Sequence, residues 1–569
     1  VKKWGDWVYG QAEKSLAEYY PSSSEGLKPI GYIWAHSIKC GNPSCGCNIP
    51  LIKQTWLAKN EKNKIAYKII PNGHSVNFQI IHGQRIDFDP KEGTVSRAKV
   101  ICPCCGYGIT DKEIRSLFKA GKSNEMMIAV ISNSRGGVGK EYKVASTPDY
   151  EAFQRAILRL EKVEDELSKK IGINIIPDEP TPEGQGSGAE RAFSLRNYGM
   201  NKWGDVFNPR QKLSIITFAG HVRAAYNEMI KEGYEPEYAK VVTTYLAIIL
   251  DRLVDKNSNL VVYNVVGEKI EHVFGRQTLS MVWDYVELNP FTSVGWPNME
   301  EWVLRSIEHC SQVAKRPGNV THSSATSLTY PDNYFDAVIT DPPYYDNVPY
   351  SYLSDYFYVW LKRTIGHLYP ELFSTPLTPK GEEIVTYSNN GGYESGKKFF
   401  EDMLSKAFTE IFRVLKPEGI ACIVFAHKST EAWETIINAL NNAGLYLTAS
   451  WPINTERKAR LRGRDSAALS SSIYMVCRKR TNKQTAYFSE LKPQIERRIQ
   501  EKLDQFWEEG IGGSDLFISA IGPAMEVFGK YDGVEKLSGE RVSASELLEF
   551  VRRTVSEYAL SRILKNPNI

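Results

Sequence analysis

The sequence predicts an α/β fold organised around Phe335-Asp-Ala-Val-Ile-Thr-Asp341-Pro342-Pro343-Tyr344. Three observations carry this. The β-branched run Val338, Ile339, Thr340 reads as a buried strand. The two prolines end it, because neither donates to a ladder and each holds φ near −65°. Residues 401–480 then supply helices and strands in the order an open sheet needs. Met403, Leu404, Ala407, Phe408, Ile411 and Leu415 form one apolar helical stripe. Lys416-Pro-Glu-Gly419 stops that helix, and Ile420 to Phe425 is the next strand, ending at Ala426-His427-Lys428. A helix over 431–443 and strands over 446–451 and 472–477 follow.

Ligands of open α/β sheets sit at the carboxyl ends of the strands, which makes Asp341 a candidate site. The Asp341 carboxylate and the Pro342 carbonyl can each accept an N–H from an exocyclic amine. Tyr344 offers a face to a base taken out of the duplex, and Pro343 stiffens the turn. The competing reading is a proline-terminated strand with a surface tyrosine. Tyr345, Asn347 and Tyr350 are nearest in sequence and are candidates to reach the same site. The helix from Tyr350 to Trp360 is very aromatic, which suits a core face as well as a stacking surface. His427 either lines the pocket or bonds backbone. Arg457, Lys458, Arg460, Arg462 and Arg464 put five basic groups in eight residues. They are either a phosphate contact or a solvated loop.

At 569 residues the chain suggests about three or four domains. A net charge of +3 confines any nucleic-acid footprint to a local patch. No apolar run reaches the ~18 residues of a membrane span, and no secretory signal is present. Six of nine cysteines fall in two clusters, Cys40-Gly-Asn-Pro-Ser-Cys45-Gly-Cys47 and Cys102-Pro-Cys104-Cys105-Gly106. That pattern indicates a cytoplasmic metal site rather than a disulfide framework. Two such knuckles make a zinc ribbon with Cys40, Cys45, Cys102 and Cys105 as ligands, Cys47 and Cys104 being alternates. The ribbon is expected to be structural, its contact with DNA being open. Arg135-Gly-Gly-Val-Gly139-Lys140 imitates a phosphate loop. It lacks the Ser or Thr after the lysine and sits between two strands, so it reads as a hairpin loop.

The expected segments are a helix over 1–29, the ribbon over 30–110, and a hairpin with a charged helix over 111–176. A Pro/Gly-rich linker spans 177–190, a helical region 191–316, the sheet core 317–480 and a helical domain 481–569. Phe207-Asn-Pro209-Arg210-Gln211 marks the start of a long helix.

The stretches Lys39-Cys40-(x)4-Cys45-Gly46, Phe207-Asn-Pro209-Arg210-Gln211, Thr340 through Tyr350, and Phe425-Ala-His427-Lys428 together resemble the large adenine-specific DNA methylases with an embedded zinc ribbon. That family is associated with anti-phage gene neighbourhoods, and the resemblance covers essentially the whole chain. It implies a Rossmann-like class I methyltransferase core, S-adenosylmethionine as methyl donor and double-stranded DNA as substrate. The target it implies is adenine N6 rather than cytosine N4, in restriction–modification or phage defence. It also implies that Phe207 and Pro209 flank the methionine end of the cofactor, although a plain capped helix start fits them equally. Ser324 and Ala325 would lie at its adenine, but the family's Asp before that Ala is Ser324 here, which weakens the contact. A second departure is larger. The family carries a glycine-rich cofactor loop ahead of the ribbon, and no stretch after Val1 replaces it. The core is therefore expected to lack its first strands, with a companion segment or chain carrying the loop. Two other readings stand beside this one. The chain is either a non-catalytic DNA-binding or scaffold subunit of a split methyltransferase, or an RNA or protein-amide methyltransferase.

Overall fold

The computed structural model describes residues 1–565 apart from 24–25, 61–62, 97–98, 135–138, 185–192, 276, 314, 345–348, 387–392, 428, 455–470 and 481–483. It is a mixed α/β fold in two compact units. One comprises Val1–Gln185, Glu190–Gly318 and Tyr350–Lys380; the other comprises Gly186–Ala189, Asn319–Pro349 and Gly381–Ile569.

The first unit is built on the strand Pro29–Lys39, buried over ten of its eleven residues. It pairs antiparallel with Ser123–Asn133 on one side and with Asp284–Leu288 on the other. Lys140–Val144 extends the sheet beyond Ser123–Asn133, and Asn48–Pro50 pairs with the end that leads into Cys40. Helices Lys2–Leu16, Thr147–Ile171, Pro209–Lys231, Pro236–Asp255 and Trp296–Val313 contribute to the same hydrophobic core. One buried ion pair ties helix to sheet. The Arg210 guanidinium donates to both Glu287 carboxylate oxygens at 2.7 and 3.0 Å, and both side chains are fully buried. Glu287 also accepts from Trp34 Nε1 at 2.8 Å and Asn208 Nδ2 at 3.1 Å, while Arg210 lies 4.0 Å from the centre of the Tyr32 ring. Desolvation of both ions is offset only because nearly every donor and lone pair is used.

Several expected boundaries change. The ribbon is not a separate domain, since its first knuckle grows directly from the central strand. The 177–190 linker fails over its described part. Thr181 is buried and donates to Met200 O, and Pro180 bridges Lys202. Proline suits that irregular, partly buried path as well as it suits a linker. The helix Tyr350–Ile365, expected within the sheet core of residues 317–480, belongs to the first unit. Tyr356, Val359 and Trp360 join that core, so its aromatic face is packing surface. The hairpin reading holds: Ser123–Asn133 and Lys140–Val144 pair around residues 134–139.

The second unit holds a four-stranded sheet in the order Phe335–Thr340, Leu415–Phe425, Ser471–Lys479, Leu445–Asn454. The first two strands are parallel and the remaining pairs antiparallel. A complete doubly wound sheet is not present among the described residues. Phe335–Thr340 pairs on one side only there, and Ile339 is 77% exposed. An exposed β-branched residue on an unpaired edge is what natural edge strands usually avoid. The buried strand expected at residues 335–340 is thus an edge strand. The helices Tyr393–Val414, Thr430–Asn442, Phe488–Glu508, Ser514–Phe528 and Ala544–Lys565 share one core with this sheet, so residues 481–569 are not a separate domain. Ser514–Phe528 lies directly on Leu445–Asn454: a Cβ on Gly522 would fall 1.7 Å from Ser450 Oγ.

Two substitutions test these contacts. Gly522→Ala is expected to cost about 1–3 kcal/mol by overpacking, read as a lower unfolding midpoint of the second unit, whereas Gly512→Ala, with nothing within 4 Å of its added Cβ, leaves it unchanged. Arg210→Met strands a buried carboxylate and is expected to cost about 3–5 kcal/mol in denaturant unfolding, part of which Arg210→Met/Glu287→Leu recovers.

Candidate functional site

The two knuckles fold alike for the same local reason. In the first, the Cys40 N–H donates to Cys47 O at 2.8 Å and the Gly46 N–H donates to Asn42 O at 3.2 Å. In the second, the Cys102 N–H donates to Tyr107 O and the Gly106 N–H to Cys102 O, both at 2.9 Å. Gly46 and Gly106 have φ of +59° and +75°, left-handed values that suit glycine. His74 Nδ1 bonds Cys45 O, so the ring braces the first knuckle.

These turns bring Cys40, Cys45, Cys102 and Cys105 together, with all four sulfurs within 4.8 Å of one another. Cys40 Sγ lies 3.7 Å from Cys105 Sγ, and Cys45 Sγ lies 3.8 Å from Cys102 Sγ. A tetrahedron with metal–sulfur bonds of about 2.3 Å has edges of about 3.8 Å, so this set can hold a metal ion of zinc's coordination habit. The residues present therefore fit the metal. A backbone N–H bond at Tyr107 is the main cause holding the Cys105 thiol down to about 7, whereas burial chiefly pushes Cys40 up to about 12. A bound dication would deprotonate both. The remaining pair departs from expectation. Cys47 and Cys104, the alternate ligands of the sequence reading, are joined to each other in a disulfide.

The second candidate lies at the carboxyl ends of the two parallel strands. Thr340 is in register with Ile423, so Asp341 and Phe425 emerge at the same edge of the sheet. Asp341 is exposed, and Pro342, Pro343 and Tyr344 are half-buried. The Tyr344 ring meets Phe425 edge-on at 5.5 Å, and Phe425 in turn meets Trp433 edge-on at 5.0 Å. Edge-on aromatic contacts thus hold the Tyr344 ring at the end of the strand edge where Asp341 emerges. His427 lies at this edge too, 6.4 Å from Phe425 between ring centres and nearly parallel to it. Its Nδ1 accepts from the Ser429 N–H at 3.1 Å, and its carbonyl accepts from Trp433 Nε1 at 2.9 Å. His427 thus bonds backbone at this edge. Phe425 and Trp433 were missed by sequence reasoning. Their signal was an aromatic at a strand's last position with another eight residues on, which is indistinguishable from ordinary core.

The predicted cofactor residues divide between the two units, Phe207 and Pro209 in the first and Ser324 and Ala325 in the second. Phe207 is buried, with its ring against Tyr356 at 5.8 Å and Trp360 at 5.3 Å. Pro209 opens its helix behind an Asn208 cap whose side chain accepts from the Gln211 N–H, the plain capped start. Ser324 Oγ is bonded to Thr326 Oγ1 at 2.9 Å in a local turn, and Ala325 is exposed. As placed, Phe207 is occupied by core packing, Pro209 by a helix cap and Ser324 by a local turn, and none of these contacts is of a kind that would hold S-adenosylmethionine. Tyr350 begins the first unit's helix and is 42% exposed. Tyr345, Asn347, Arg457, Arg460, Arg462 and Arg464 lie outside the described residues.

About one metal ion per chain is expected by elemental analysis. Cys45→Ala or Cys102→Ala should bring this near zero while Cys310→Ala leaves it unchanged.

Comparison of the chain with protein-family models, curated proteins and solved structures finds no match in any of the three.

Proposed function

We propose that this chain is the base-holding part of an S-adenosylmethionine-dependent DNA methyltransferase acting on an exocyclic amine, adenine N6 in first place, in phage defence or restriction–modification. The observation that supports this reading is the Asp-Pro-Pro-Tyr turn at the shared edge of two parallel strands. There an exposed carboxylate, a rigid carbonyl and a half-buried aromatic ring emerge within four residues. Asp341 and the Pro342 carbonyl accept the two N–H bonds of the amine and orient its nitrogen, while Tyr344 stacks on the flipped base. Positioning of this kind supplies most of the rate in a direct transfer. The four-cysteine site, with zinc, braces the ribbon of the first unit.

A second reading is favoured by one specific observation. The one-sided pairing of Phe335–Thr340 among the described residues, with Ile339 exposed, suits a subunit whose sheet is completed by a strand from a companion. On that reading the chain is a DNA-binding or scaffold subunit of a split enzyme, and the companion brings the glycine-rich cofactor loop.

Methyl transfer from labelled S-adenosylmethionine separates the readings. The chain is to be assayed with and without a segment carrying the glycine-rich loop, on DNA, RNA and protein. Activity on DNA is expected only with the added segment, and Asp341→Ala should lower it about 100-fold or more. Asp336→Ala, on the same strand but paired with Lys416, should not. Undiminished transfer by Asp341→Ala excludes the proposed pocket.

A further inference from the structure

The knuckles bring together six cysteines where a tetrahedral ion takes four. The two extra sulfurs are not scattered. Cys47 stands two residues after Cys45, and Cys104 adjoins Cys105, so each knuckle contributes one. Their Cα atoms are 6.6 Å apart across 57 residues of sequence, within the roughly 4.4–6.8 Å that a disulfide spans. The sulfurs of Cys47, Cys102 and Cys104 also lie within 4.8 Å of one another, so the pair adjoins a metal ligand. Cys47 is fully buried, whereas Cys104 is partly accessible.

This geometry has a consequence for the metal. With all six sulfurs reduced, two overlapping sets compete for an ion, because Cys47, Cys102 and Cys104 form a group of three that shares Cys102 with the set of four. With Cys47 and Cys104 joined, only Cys40, Cys45, Cys102 and Cys105 remain, and the ligand set is unique. The same bond links the two knuckles independently of the ion, as a second tie across one junction.

We propose that Cys47 and Cys104 form a thiol–disulfide exchange site that selects the ligand set of the adjoining metal centre. The proposal rests on the metal reading of the other four cysteines. The co-reactant is a small disulfide such as oxidised glutathione. The Cys104 thiolate, the accessible one, attacks one of its sulfurs; that S–S bond breaks and one glutathione thiolate leaves. The Cys47 thiolate then attacks Cys104 Sγ in the mixed disulfide and expels the second glutathione. Two protein thiols are oxidised by two electrons, one glutathione disulfide is reduced to two thiols, and two protons pass from the cysteines to the products. Reduced glutathione reverses both steps.

The test uses the full chain loaded with zinc, treated with oxidised glutathione, alkylated and mapped by peptide mass, with zinc measured in parallel. A Cys47–Cys104 cross-linked peptide with the zinc retained is the expected result. Cys47→Ser, which lacks the resolving thiol, should hold glutathione on Cys104, and Cys104→Ser should take up none at Cys47. A bond that includes any of Cys40, Cys45, Cys102 or Cys105 overturns the proposal, as does zinc release in step with oxidation. So do two zinc ions per chain with Cys47 and Cys104 protected, or free thiols at both positions when exposed Cys310 is already modified. A cross-link formed in a chain that takes up no zinc overturns the metal reading and the ligand-selecting role, and leaves the exchange chemistry in place.

Discussion

A backbone amide or carbonyl withdrawn from water must find a partner, and the two sheets meet that demand in different ways. In the first unit, Pro29–Lys39 is paired along both edges and buried almost throughout. The placement of the four clustered cysteines follows from this strand. Its last residue precedes Cys40, and its antiparallel partner Ser123–Asn133 returns the chain from the second knuckle. The Arg210–Glu287 pair and its hydrogen bond to Trp34 hold the neighbouring strand and the adjoining helix to the same frame. The knuckles thus grow from a rigid sheet at one end and need only a local tie at the other. A four-sulfur metal site is a tie of that kind.

In the second unit the demand is met on one side. Phe335–Thr340 takes its ladder from Leu415–Phe425, and its other edge is unpaired among the described residues. The parallel direction is what brings the two turns together. Two parallel strands end at the same edge, so the turn after Thr340 and the turn after Phe425 share one face. An antiparallel partner would have put the start of its strand beside Asp341 instead. The aromatic contacts from Tyr344 through Phe425 to Trp433 then hold the turn against the end of the sheet.

Much of this was legible in the sequence because it is local. Cys-Gly knuckle turns need left-handed glycines, two prolines must end a strand, and an apolar stripe at 3.6-residue spacing makes a helix wherever it is placed. The set of four clustered cysteines, the strand that leads into Asp341, the helix that ends before Lys416 and the hairpin around residues 134–139 all have this character. Each depends on neighbours within a few residues, so its signature survives without any tertiary context.

Pairing and enclosure belonged to the tertiary structure alone. Cys47 and Cys104 were equivalent to their neighbours by spacing, and only the approach of the two knuckles made them partners for each other. The aromatic helix Tyr350–Ile365 follows the Asp-Pro-Pro-Tyr turn in sequence yet packs in the other unit, since its stripe has no label naming the core it will fill. Pro177–Gly184 has a linker's composition yet is anchored by the buried Thr181, because proline fits any segment whose carbonyls can be satisfied without its own N–H. Phe207 was legible as a helix entry, but whether its ring faced a ligand or Tyr356 and Trp360 depended on residues about 150 positions away. Contacts made over such separations leave no periodic trace in the chain, and they decide which of several chemically adequate residues becomes a site.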